Sequence, residues 1–210
     1  MKSNNDYKNA ALLALKGNWG PAVLLSIAYF GISALSSGVG SGESVGGSLA
    51  QLVVMFCLLL PLTVGMCAAF RGLLHGKRVD FIKGAFRVGF KNWAHNMGGM
   101  LLMAVYTFLW TLCLIVPGII KSLSYAMTPY ILADNPELSA NEAIDLSMKM
   151  MDGRKMDLFL LYLSFIGWAI LGILTLCIGY LWLYPYMYTT MAAFYEDVKA
   201  DYESKQIAGA

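Results

Sequence analysis

Long apolar runs separated by short polar segments are the feature that most constrains how this chain can fold. A helix that crosses a bilayer needs about 20 largely apolar residues. The runs are Pro21–Leu35, Leu49–Phe70, Met97–Val116, Gly118–Ala133, Leu158–Ile178 and Leu181–Tyr195. The pattern predicts an all-α polytopic membrane bundle of about six transmembrane helices, paired as three hairpins, with amphipathic helices in the cytoplasm.

The composition excludes an ordinary soluble domain. The chain is 58% hydrophobic and 13% charged, with a mean hydropathy of +0.60, whereas soluble domains are roughly 45–50% apolar and about 25% charged. So few charges cannot cover the surface of a soluble fold of 210 residues. We therefore predict a single integral membrane domain over residues 1–210.

Lysine and arginine residues lie almost entirely in alternate loops of this arrangement. Of the 15 basic residues, all but Lys121 precede the first run, follow the last one, or lie between the second and third or the fourth and fifth runs. Loops that carry an excess of Lys and Arg face the cytoplasm. This asymmetry predicts that both termini are cytoplasmic.

The same order of parts recurs along the chain. A charged amphipathic segment leads into an apolar run, a turn, and a second run with a proline at or inside it. Ala-Ala-Phe follows Pro61 and Pro185 at the same offset, whereas the copy headed by Pro117 matches loosely. Since apolar runs also resemble one another by chance, a true repeat and a chance likeness both stay open. The possible repeat units are 7–75, 79–134 and 139–198.

The segment Asp80–Trp93 has the pattern of an amphipathic helix that Asp80 caps. Large apolar side chains share one face, and cations run beside them. The apolar residues are Ile82, Phe86, Phe90 and Trp93, and the cations are Lys83, Arg87 and Lys91. We expect the three cations and Trp93 to contact anionic phospholipid headgroups at the membrane surface. The alternative is a linker helix packed on the bundle.

Turn and capping signals separate the runs. Residues 36–48 are rich in Ser and Gly, which predicts a flexible external loop. Tight turns are expected at Val116–Gly118 and Cys177–Tyr180. Ser139 and Glu142 have the spacing of a capping box, and Gly153 is placed to end the helix that follows.

Lys121 is the one ionisable residue that the pattern places at membrane depth, which makes it a functional candidate. Its side chain either extends to the outer interface or turns into the bundle. Hydroxyls on the second arms of the hairpins are expected to face the interior, as glue between helices or as the lining of a cavity for a lipid headgroup or small amphiphile. The candidate intramembrane polar site is Lys121, Ser124, Tyr125, Thr128, Tyr130, Tyr188 and Thr189.

Catalytic and metal-binding motifs are not evident. His75 and His95 have no carboxylate or cysteine at metal-ligand spacing, and the four cysteines sit in apolar runs as packing residues. Carboxylates follow the fourth and sixth runs, as solvated faces and caps or as ligands of a divalent cation. They are Asp134, Glu137, Glu142, Asp145, Glu196, Asp197 and Asp201. We predict no catalytic residue, cofactor, metal or nucleic-acid partner.

Several segments resemble a small bacterial integral membrane family of unknown function. They are Val116–Lys121, Tyr130–Pro136, Ser139–Lys155, Pro185–Tyr186 and Ala193–Tyr195. That family is distantly similar to the membrane domain attached to some glycerophosphoryl diester phosphodiesterases. The resemblance is strongest from Pro117 onward. It implies an inner-membrane protein of about six helices and supplies no catalytic residue.

The sequence therefore favours a non-enzymatic multi-pass protein of the bacterial inner membrane. It would act as a structural or accessory module that binds lipid or a membrane protein partner. The alternatives are a transporter of a small molecule or lipid, and a lipid-modifying membrane enzyme whose carboxylates near Asp134 and Glu196 hold a metal. The oligomeric state is open.

Overall fold

The computed structural model describes residues 2–39, 49, 51–53, 55–77, 80–175 and 178–208. Over these residues the chain forms helices joined by short turns, with no strand, so the all-α prediction is confirmed. The helices are α1 (Asn4–Leu15), α2 (Trp19–Val39), α3 (Leu60–Leu74), α4 (Phe81–Lys91), α5 (Trp93–Cys113), α6 (Ile115–Tyr125), α7 (Thr128–Asp134), α8 (Ala140–Met150), α9 (Lys155–Leu163), α10 (Ile166–Leu174) and α11 (Tyr180–Ala208). A π-helical turn over Met55–Leu59 leads into α3.

Three kinds of helix alternate along the chain. The lead helices α1, α4 and α8 correspond to the amphipathic segments. The outer arms are α2, α5 and the broken helix α9–α10. The inner arms are α3, the broken helix α6–α7 and the first half of α11.

Within the part of the chain that the structure describes, three helical stretches are long and apolar enough to cross a membrane, which is compatible with membrane localisation. They are Gln51–Leu74, Trp93–Cys113 and Lys155–Leu174. The pair Asn4–Leu15 and Trp19–Leu35, bent by 100°, is a fourth if it counts as one span. The other two predicted spans are not among these stretches. The helix α6–α7 is interrupted after Tyr125, so neither part is long enough. Helix α11 is long enough at 29 residues, but its tyrosines and threonines lower its mean hydropathy.

Lead helices pack on the inner arm of the preceding hairpin. Ala85 and Gly89 of α4 lie so close to α3 that a Cβ added at Gly65 would overlap the carbonyl oxygen of Ala85. On α8, the Ser147 hydroxyl donates to the carbonyl oxygen of Ser124 at 2.7 Å and accepts from the amide of Met127 at 3.2 Å. It therefore supplies the hydrogen bonds that are lost where α6 gives way to α7.

The first lead helix closes the arrangement on the last inner arm. The ring of Tyr7 on α1 packs edge-on against Phe194 of α11, with 5.4 Å between the centroids. The repeat units themselves stay a prediction, because this packing order is a property of the arrangement and does not show that the units are copies.

Exposed large apolar side chains occupy alternate stretches of the chain. Among the described residues they lie in 12–58, 93–120 and 156–182, with Ile207 as the exception. The intervening stretches expose polar side chains or are buried. The exposed apolar side chains of the described residues are therefore concentrated on the outer arms and at the start of the inner arms.

Three local predictions need correction. Asp80 adopts a left-handed φ of 57° and makes no capping hydrogen bond. The turn between α5 and α6 centres on Leu114 rather than on Val116–Gly118, because proline is tolerated in the first turn of a helix and Gly118 lets α6 approach Thr111 closely.

The third correction concerns the loop that was expected over residues 36–48. Its residues 36–39 continue α2, and residues 40–48 lie outside the described residues, as does Cys177 in the turn before α11. The capping box of Ser139 and Glu142 is confirmed, and Gly153 adopts φ +75° in the turn after α8.

We expect Gly65→Ala to destabilise the protein and Gly84→Ala not to. The first substitution forces α3 and α4 apart, which costs about 1–3 kcal/mol. At Gly84 nothing lies within 4 Å of the added Cβ, so alanine contributes about 1 kcal/mol of helix propensity. Thermal unfolding of the detergent-solubilised protein measures both. A melting temperature of Gly65→Ala at or above that of the parent would contradict the close packing.

Candidate functional site

The outer face of α4 carries three exposed cations, Lys83, Arg87 and Lys91, four residues apart. None of them forms an ion pair with any residue that the structure describes. We call this surface the basic face. The opposite side of α4 packs on α3, so the helix is attached to the bundle as in the linker alternative, and its cations still point outward.

Trp93 begins the helix that follows the basic face. Its side chain is 38% exposed, and its Nε1 donates to the carbonyl oxygen of Cys57 at 2.7 Å. The apolar side chains Phe86 and Phe90 are only partly buried, and their rings stack with 6.2 Å between the centroids. Both aromatic and cationic groups are thus available at this surface.

Lys121 lies between two helices that are not inner arms. Its Nζ is 4.9 Å from the ring centroid of Trp110 on α5 and 3.9 Å from the Sδ of Met148 on α8. The structure does not bring Lys121 next to Tyr130 or Tyr188. The predicted polar site is therefore not one constellation.

Two hydroxyls of the predicted polar site donate within their own helix. Ser124 donates to the carbonyl oxygen of Ile120 at 2.9 Å, and Thr189 donates to that of Pro185 at 2.7 Å. Thr128 is fully buried, and its Oγ1 has no hydrogen-bond partner. Within the described ranges, the hydroxyls of Ser124, Thr189 and Thr128 therefore make no hydrogen bond from one helix to another.

Two members of the predicted site do meet, and a third lies elsewhere. The Tyr130 hydroxyl donates to the carbonyl oxygen of Tyr188 at 3.3 Å, and both residues line a cavity between the inner arms. Tyr125 packs instead against Tyr106 of α5, with 6.5 Å between the ring centroids.

A charge cluster joins the C-terminal ends of the three inner arms. The guanidinium of Arg71 on α3 binds Asp134 at the end of α7 through Nη1 and Glu196 of α11 through Nε. Asp134 also accepts from the Lys199 ammonium at 3.0 Å and from the Tyr195 hydroxyl at 2.9 Å. We call these five residues the Arg71 cluster. Its two cations balance its two carboxylates.

A second cluster ties α1 to α11. Arg154 is only 6% exposed, and its Nη2 donates to Asp197 at 2.7 Å and to the Tyr7 hydroxyl at 3.2 Å. The Tyr7 hydroxyl in turn donates to Asp197 at 2.8 Å, and Arg154 Nε donates to Asp157 at 2.9 Å. We call these four residues the Arg154 cluster.

The surroundings of Asp197 lower its pKa. Burial acts to raise that pKa, but hydrogen bonds from Arg154 and Tyr7 outweigh burial, because both stabilise the ionised carboxylate. The carboxylate therefore stabilises the folded protein above the pKa of an unfolded aspartate. This contribution is lost as pH falls through the lower folded value.

The sequence pattern placed Asp134, Glu196 and Asp197 among solvated faces, caps or metal ligands, and it did not single out Asp157. Asp134 and Glu196 do converge, but on Arg71. Across the described ranges no three His, Cys, Asp or Glu residues lie together so that they could hold a metal ion. The matching Ala-Ala-Phe segments before Arg71 and Tyr195 were the one signal that these arm ends occupy comparable places.

A model of a protein family of unknown function, DUF975, matches residues 111–202. The match runs from the end of α5 into α11 and includes the segments on which the resemblance to an uncharacterised family rests. No curated protein and no solved structure matches the chain.

We expect Asp197→Asn to destabilise the protein by about 2 kcal/mol at neutral pH, because it leaves the buried Arg154 with a weaker partner. The difference from the parent should be full above about pH 4 and shrink below it, as the parent carboxylate takes up its proton. Melting temperatures from pH 7 to pH 3 measure this. Asp152→Asn, at an exposed residue, is the control, and a difference that does not change with pH would contradict the role of Asp197.

Proposed function

We propose that this protein is a non-enzymatic, multi-pass accessory module of the bacterial inner membrane that holds anionic phospholipid against the basic face of α4. One observation carries the proposal. Lys83, Arg87 and Lys91 point outward with no ion-pair partner among the described residues, next to a bundle whose outer arms expose apolar side chains. A phosphate group is the counterion that such a surface meets in a membrane.

The distribution of apolar surface supports a membrane location for the hairpins. Soluble monomers rarely expose contiguous apolar patches larger than a few hundred Å². The outer arms, by contrast, expose large apolar side chains along their length. In this proposal each hairpin crosses the bilayer from the cytoplasmic side and crosses back to that side. The three hairpins together make about six crossings. The inner arms are shielded by the outer arms, so they can be shorter and more polar.

The charges of α4 constrain its depth. Unpaired cations are costly inside hydrocarbon, and α4 lies antiparallel beside α3. In this proposal the basic face lies toward the cytoplasmic end of α3, and its long side chains extend toward the headgroup layer. The one-sided distribution of Lys and Arg puts both termini in the cytoplasm.

The resemblance to a small bacterial inner-membrane family supports the inner-membrane assignment in this proposal. The family match over residues 111–202 supports only an uncharacterised family. The similarity of that bacterial family to the membrane domain of glycerophosphoryl diester phosphodiesterases connects it with phospholipids by analogy only. The metal-dependent enzyme alternative is not favoured. Asp134 and Glu196 both form ion pairs with Arg71, and Asp134 also forms one with Lys199. The transporter alternative has one supporting observation, the cavity between the inner arms.

We expect the reconstituted protein to prefer phosphatidylglycerol over phosphatidylcholine by at least about fivefold, the effect of one engaged cation at about 1 kcal/mol. Electron paramagnetic resonance of spin-labelled lipids around the protein in nanodiscs measures the preference. It should fall in the triple variant Lys83→Gln, Arg87→Gln, Lys91→Gln and weaken in high salt. The matched control is Lys16→Gln, Lys149→Gln, Lys155→Gln, and equal preferences in the two variants would refute the proposal.

We expect a C-terminal green fluorescent protein fusion to fluoresce and a C-terminal alkaline phosphatase fusion to be inactive, because the positive-inside distribution keeps this end in the cytoplasm. Alkaline phosphatase inserted within residues 40–48 should be active. Enzyme activity normalised to protein amount measures both fusions. An active C-terminal phosphatase fusion would reverse the proposed orientation.

A further inference from the structure

A cavity of about 190 Å³ lies where the three inner arms meet. Thr63 and Cys67 of α3, Tyr130 of α7, and Tyr188 and Met191 of α11 contribute to its wall. Tyr162 of the outer arm α9 completes one side. Each hairpin thus supplies part of the wall, and sites between repeated or related units are a common location for ligands in membrane transporters.

The Arg71 cluster closes one end of this cavity. Cys67 and Tyr130 lie four residues, about one helical turn, before Arg71 and Asp134 on their helices. The ring of Tyr130 stacks on Tyr195, with 5.0 Å between the centroids. Ion pairs and a ring stack therefore separate the cavity from the cytoplasmic ends of the arms.

The cavity opens sideways, between the inner arms and the outer arm α9. Tyr162 is 38% exposed, and it is the one exposed residue among the lining residues. It belongs to an outer arm whose neighbours, such as Leu160 and Leu163, are exposed apolar side chains. A molecule dissolved in lipid would reach the cavity past Tyr162.

The wall selects an uncharged ring. Among the described residues no charged side chain lines the cavity, so an ion would lose its hydration without compensation. Tyrosine rings and the sulfur atoms of Cys67 and Met191 pack favourably on aromatic faces. A cavity of about 150 Å³ holds one benzene molecule, so this one has room for a single substituted ring.

Hydrogen-bonding groups are available to such a ring. The Tyr162 hydroxyl makes no hydrogen bond to any described residue. The Tyr188 hydroxyl accepts from the Tyr184 hydroxyl at 3.1 Å, which leaves its own proton for another acceptor. One oxygen substituent on the ring would pair with these hydroxyls.

We propose that the cavity between the inner arms is a binding site for a small, uncharged aromatic or quinone-like ring that carries a hydroxyl or carbonyl oxygen and enters from the lipid. Entry from the lipid rests on the membrane location of the hairpins in the proposed function. The site itself is separate from the basic face of α4, so the preference for anionic lipid and the binding of the ring can fail independently.

The test uses the full chain in nanodiscs, with 4-fluorophenol, fluorobenzene and 4-fluorobenzoate as probes and fluorine nuclear magnetic resonance as the readout. We expect saturable binding of 4-fluorophenol, weaker binding of fluorobenzene and none of 4-fluorobenzoate. Ala126→Phe, at a lining residue, should abolish binding of 4-fluorophenol. Ala104→Phe, at an exposed residue of α5, makes the same change outside the cavity and should retain it.

Tyr162→Phe keeps the ring and removes the hydroxyl, so it tests the site even where Ala126→Phe fails to fold. The preference for 4-fluorophenol over fluorobenzene should fall by roughly two- to tenfold, the effect of one hydrogen bond. Tyr106→Phe, whose hydroxyl bonds Asn141 outside the cavity, should leave the preference unchanged. Binding of 4-fluorobenzoate as strong as that of 4-fluorophenol, an unchanged preference in Tyr162→Phe, or undiminished binding in a folded Ala126→Phe would overturn the proposal.

Discussion

The bond between Arg71 and the two carboxylates Asp134 and Glu196 is the interaction on which the arrangement of the bundle depends. These residues are 63 and 125 positions apart from Arg71 in the chain, and each lies at the end of a different inner arm. Removing the guanidinium would leave two partly buried carboxylates close together, with Lys199 as the remaining cation. Like charges at such a distance repel, so the ends of the arms would separate.

The Arg71 cluster and the Arg154 cluster bind α11 on two different sides. One side of this helix faces Arg71 through Glu196, and the next residue, Asp197, faces Arg154. Adjacent residues in a helix point about 100° apart, so α11 is held from two directions near Glu196 and Asp197. The cavity and the aromatic contacts lie before this point, and the polar end of the helix lies after it.

The helical class and the capping box at Ser139 were predictable because each depends on residues close together in sequence. The Arg71 cluster was not, since a carboxylate at the end of an arm has the same local pattern whether it is solvated, capping or paired across the bundle. The hydroxyls show the same limit. Sequence alone did not show that Ser124 and Thr189 bond to carbonyls of their own helices, or that Ser147 bonds across the break between α6 and α7.

The docking of α1 on α11 has a consequence for synthesis. Tyr7 and Asp197 are separated by 190 positions, so α1 leaves the ribosome long before the surface that it binds has been made. Until α11 has been synthesised, the buried face of α1 (Tyr7, Ala11 and Leu15) has no partner there. The docking of α1 on α11 is therefore a later event in assembly than the formation of α1, and the apolar face of α1 needs other cover in the meantime.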